Sequence, residues 1–154
     1  MWIDLKKHFA ARQIEWYNSF MLFLWGSYVL LHPGLFHDPY YRGMTLFSPQ
    51  ELWGYAAALV GSTRAVALFI NGKWGLTPAI RVATCFTSVF MWFWICVGLY
   101  LSSTDRASTI IYCGLMVCDI ISAFRAASDA YEAEANRRLI KPSEASNVTS
   151  IRSY

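Results

Sequence analysis

Apolar residues fall in four long blocks, at residues 14–31, 52–70, 80–101 and 108–124, and polar residues gather between them. An α-helix rises about 1.5 Å per residue, so a bilayer crossing needs about 20 mostly apolar residues. Each block is read as one transmembrane helix. The predicted fold is an all-α membrane protein with four spans. The third is the plainest, with Phe90, Met91, Trp92, Phe93, Trp94 and Ile95 at its centre.

Local punctuation fits these blocks. Ser48, Pro49 and Glu51 read as a serine N-cap, a proline at the first helical position and a glutamate three residues after the cap. Thr77 and Pro78 repeat the start signal for the third span, Asn71 and Gly72 can close the second, and Pro33 and Gly34 stop the first. After Phe124 the chain becomes rich in Ala, Glu and Arg, strong helix formers. The fourth helix is therefore expected to continue beyond the membrane over residues 125–139, with residues 140–154 forming a disordered polar tail. Residues 1–13 place Trp2, Leu5 and Phe9 at helical spacing opposite Lys6 and Lys7, as an interfacial amphipathic segment would.

Charge adds orientation. With four crossings both termini share one side, which carries Lys6, Lys7, Arg12, Lys73, Arg81, Arg125, Arg137, Arg138, Lys141 and Arg152. The opposite side has Arg42 and Arg106. The positive-inside rule then places both termini in the cytoplasm. The region before residue 14 lacks the long apolar core of a cleavable signal peptide.

Two charges lie inside the blocks. Arg64 is six residues from the cytoplasmic end of the second span and Asp119 five residues from that of the fourth, so both are predicted roughly 8–9 Å deep. A charge within a membrane helix is costly and is usually paired. Arg64 and Asp119 are therefore expected to form an intramembrane ion pair. Small residues run beside each: Ala57, Gly61 and Ala65 on the second helix, and Gly114, Cys118, Ser122 and Ala126 on the fourth. Such ridges let helix backbones approach closely. The expectation is that helices two and four pack through these stripes. At the sequence level the pair reads either as a register lock or as a gating or pore-lining site.

Composition strengthens the membrane reading: of 154 residues 56% are hydrophobic and only 15% charged. The net charge of +3 comes without a basic run that would track nucleic acid, so no nucleic-acid partner is expected. Cys85, Cys96, Cys113 and Cys118 make no CxxC and read as packing residues, and no histidine lies within a span to ligate haem. No phosphate loop, nucleophile elbow or HExxH is present. Neither a cofactor, a metal site nor an enzymatic activity is expected. The loop of residues 32–50, with Phe36, Tyr40, Tyr41 and Phe47, reads as an aromatic belt on the headgroups.

The blocks RAVALFINGKW (residues 64–74), TPAIR (77–81) and DIISAFRAASDA (119–130) resemble those of small multispanning membrane proteins of tailed bacteriophages, some of them holin-like. The resemblance implies a homo-oligomer in the bacterial inner membrane that permeabilises it so that a lytic enzyme can leave. It brings no catalytic or ligand residues. A second expectation is a membrane anchor whose helical extension recruits a protein partner in phage assembly, host takeover or superinfection exclusion.

Overall fold

A computed structural model of the chain describes residues 12–70, 77–102 and 107–151, and their side chains apart from those of residues 78, 133, 136, 137 and 139–151. The described residues form four α-helices, two short 3-10 turns and no strand. Helix α1 is Gln13–Leu31, α2 Gln50–Phe69, α3 Thr77–Leu101 and α4 Ala107–Ile151. Three stretches, Gln50–Phe69, Ala79–Leu101 and Ala107–Glu132, are long and apolar enough to cross a membrane. Helix α1 falls short of that measure because Gln13, Glu15, Asn18 and Ser19 occupy its first turns. All four helices nevertheless turn large apolar side chains outward, among them Phe20 and Leu31, Leu59 and Phe69, Phe86 and Phe93, and Ile110 and Phe124.

The bundle is built from two antiparallel hairpins, α1 with α2 and α3 with α4. In the first, glycines bring the backbones together. A Cβ on Gly26 would lie 2.4 Å from the Ala58 nitrogen, and one on Gly61 would lie 2.6 Å from the Phe23 nitrogen. In the second, Cys85 packs on Ala123 and Ala126, while Trp92 stacks on Tyr112 at a centroid distance of 5.7 Å. The hairpins meet through Leu22, Val29 and Trp53 on one side and Met91, Trp92, Ile95 and Leu115 on the other.

These contacts correct the expected pairing of the second and fourth helices. Ala57 and Gly61 face α1, and Ala65 is only half-buried. Gly114 is exposed with no atom within 4 Å of its would-be Cβ, Cys118 is half-buried, and the buried Ser122 returns its hydroxyl to the Cys118 carbonyl. The physical reason is that α1 offers its own small residues, Ser19 and Gly26, to the ridge on α2. A small-residue ridge fixes how closely a partner comes, not which helix it is.

The loop between α1 and α2 folds back onto the bundle. Gly34 takes a left-handed φ of 81°, which glycine adopts without strain, and turns the chain after α1. Phe36 and Met44 are buried in the core. Gly43 meets Gly98 so closely that a Cβ there would sit 2.0 Å from the Gly98 oxygen. Tyr41 stacks on Phe36, and burial pushes its phenol up to about 12. The start of α2 also departs from the expected serine cap: Pro49 holds the N-cap position without a side-chain bond. The Gln50 amide instead donates to the Val29 and His32 carbonyls, at 2.7 and 2.8 Å, and its oxygen accepts from Phe36 N–H. One side chain thus closes α1 and anchors the loop.

Helix α4 passes unbroken through residues 125–139 and on to Ile151, beyond the point where the sequence reading ends helical structure. Pro142 removes one backbone donor, a cost that the helix carries without interruption. The expected interfacial segment up to residue 11 and the Asn71–Gly72 stop lie outside the described residues.

Candidate functional site

Asp119 is the point where all four helices meet. Its carboxylate, carried by α4, accepts hydrogen bonds from Asn18 Nδ2 of α1 at 2.8 Å, Arg64 Nη1 of α2, and Ser88 Oγ and Trp92 Nε1 of α3, the last at 3.0 Å. Arg64 and Asp119 form an ion pair with both side chains at zero exposure. Asn18 Nδ2 also donates to the Leu115 carbonyl at 3.2 Å. Four donors on two carboxylate oxygens replace the water that an ionised carboxylate would otherwise require.

A second charged layer lies toward the end where α1 begins. Arg81 grips Glu15 through Nε at 3.1 Å and Nη2 at 2.7 and 3.0 Å, and its Nη1 donates to Asp129 Oδ2 at 2.8 Å. Arg12 Nη2 donates to the same Asp129 oxygen at 2.9 Å. The guanidinium of Arg12 is held below its usual range, first by partial burial and then by the adjacent Arg81 charge. Two arginines face two carboxylates, so the layer is neutral, as is the Arg64–Asp119 pair. By helix rise, Arg81 and Ser88 on α3 set the layers about 10 Å apart.

The structure thus brings together the two charges singled out in the sequence and adds partners that the sequence reading missed. Asn18, Ser88 and Trp92 are ordinary residues of a membrane helix when read singly. Glu15, Asn18 and Ser19 did carry a signal: at spacings of three and four they mark one polar face on an otherwise apolar helix. Arg81, taken from the sequence as a charge at the membrane boundary, is fully buried. The four cysteines are free, with Cys113 and Cys96 sulfurs 3.5 Å apart. Among the described residues no cluster of histidine, cysteine and carboxylate side chains could hold a metal ion.

Fold and site together define an all-helical protein with three membrane-capable helices, an apolar exterior and a charged interior. Comparison with protein-family models, characterised proteins and solved structures gave no match to this chain.

Proposed function

We propose that the chain is a phage-type integral membrane protein that crosses the host inner membrane four times, with both termini cytoplasmic, and acts as a holin-like oligomer. The observation that carries this reading is the placement of the charges. Arg64–Asp119, Arg81–Glu15 and Arg12–Asp129 each join one hairpin to the other, with Arg81 also bonded to Asp129 within its own hairpin, whereas the helices of each hairpin pack mainly through glycines, alanines and apolar side chains. Buried ion pairs add little net stability over well-packed apolar residues, so a purely passive bundle gains little from them. Ionisable groups within a membrane domain usually mark a polar pathway or a switch. Parting the hairpins would turn Glu15, Asn18 and Arg64 on one half and Arg81, Asp119 and Asp129 on the other toward water, which is what lining a membrane lesion requires. The resemblance of the blocks around Arg64 and Asp119 to phage membrane proteins supports the same reading, and the outward apolar side chains of α1 support its role as the fourth span.

Induced expression in bacteria tests it. The expected result is loss of membrane potential, with release of a cytoplasmic reporter only when a lytic enzyme is co-expressed. An intact potential in cells whose membranes contain the protein would rule the reading out.

A second reading, a membrane anchor for a partner protein, is favoured by the length of α4. From Phe124 to Ile151 it extends about 40 Å. Truncation after Glu132 separates the two, because it keeps Asp129 and its bonds to Arg12 and Arg81. Membrane leakage should survive the truncation under the holin-like reading and disappear if the extension recruits the effector.

A further inference from the structure

Arg64 is wholly buried, yet its Nε and Nη2 have no acceptor, and the equally buried Asn18 Oδ1 has no donor. The orientation of the Asn18 amide is fixed, because its nitrogen faces two acceptors, the Leu115 carbonyl and Asp119 Oδ1. Exchanging oxygen and nitrogen would set an oxygen against both. Asn18 and Arg64 bind the same Asp119 oxygen, so the unpartnered acceptor and the unpartnered donors belong to adjacent side chains. Buried polar groups are almost always satisfied, and those without a protein partner are commonly satisfied by internal water.

The chemistry of the occupant follows. An anion would adjoin the Asp119 carboxylate and a cation the Arg64 guanidinium. The occupant must be neutral, accept from Arg64 and donate to Asn18. It must also be small, since Asn18 and Arg64 are fully buried; the cavities of about 440 Å³, lined by residues such as Leu52, Phe90 and Trp94, and of about 190 Å³, lined by Phe86, Ile120 and Phe124, lie elsewhere. We propose that the hub is a water-binding site, in which bound water accepts from the free Arg64 N–H groups and donates to Asn18 Oδ1. Bound water completes the shell of a guanidinium that has only one carboxylate, whereas Arg81, with two, has its nitrogens bonded to protein. The inference is independent of the lysis reading, since it concerns the closed bundle.

The test is solid-state NMR of the full chain in lipid bilayers with 15N-labelled arginine, following magnetisation transferred from water to each guanidinium. Arg64→Lys identifies the Arg64 signals, and exposed Arg138 serves as the positive control. The expected result is water transfer to the Arg64 Nε and Nη2 protons in the wild type, lost in Asn18→Leu while Arg138 is unchanged. Absence of transfer at Arg64 in the wild type would overturn the proposal, whether or not the Leu variant folds. Transfer that persists unchanged in a folded Asn18→Leu protein would also overturn it, because the bridge to Asn18 would not exist.

Discussion

Asp119 shows how an apolar helical interior tolerates a carboxylate. Its partners are a cation, an amide, a hydroxyl and an indole, one or two from each of the other helices. Hydrogen bonds to charged groups are worth about 1.5–3 kcal/mol. Trp92→Phe keeps the ring surface that packs on Tyr112 and removes one donor. It should therefore lower the thermal stability of the detergent-solubilised protein by roughly that amount, read as a drop in melting temperature. A melting temperature unchanged by the substitution would show that the indole bond contributes nothing. At this scale Arg64 and Asp119 were legible in the sequence because a charge in an apolar run stands out. Their neutral donors were less legible: Asn18 shares a polar face with Glu15 and Ser19, but Ser88 and Trp92 stand singly in an apolar run, and only the tertiary fold selects which such residues turn inward.

Helices were legible as apolar runs ended by glycine, proline and polar turns, and α2 and α3 start within a few residues of where those signals place them. Which helix lies beside which was less legible. The ridge of Ala57 and Gly61 announced a close neighbour, but the complementary residues on α1, Ser19 and Gly26, stand seven apart and form no obvious repeat. Gly114 looked equivalent in the sequence and is not. Two alanine substitutions separate the cases. Gly26→Ala drives a methyl into the backbone of α2 and should destabilise by about 1–3 kcal/mol, the usual cost of overpacking. Gly114→Ala meets open space and should be neutral or stabilising by up to about 1 kcal/mol through helix propensity. Thermal unfolding of both variants in the same detergent checks the contrast, and equal losses would contradict the assigned packing.

For the molecule as a whole, the sequence conveyed the all-helical class, the apolar exterior and the continuation of the last helix. It did not convey the division into two hairpins fastened by charges, because that depends on partners 55 and 66 residues apart, Arg64 with Asp119 and Arg81 with Glu15. The division leaves a line of contact between the hairpins, stratified along its length: apolar where Leu22, Trp53, Met91 and Ile95 meet, and polar toward the end where α1 begins. The Arg64–Asp119 bond is the direct link between α2 and α4 across that line. Its thermodynamic coupling is the most direct test, measured by thermal unfolding of Arg64→Leu, Asp119→Leu and the double variant. Each single change leaves buried charged or polar groups without a partner and should cost about 3–5 kcal/mol. The double change, which still strands Asn18, Ser88 and Trp92, should cost clearly less than the sum of the two. Single losses that merely add in the double variant, or that stay within the roughly 0.5 kcal/mol typical of surface substitutions, would contradict a buried clip between the two hairpins.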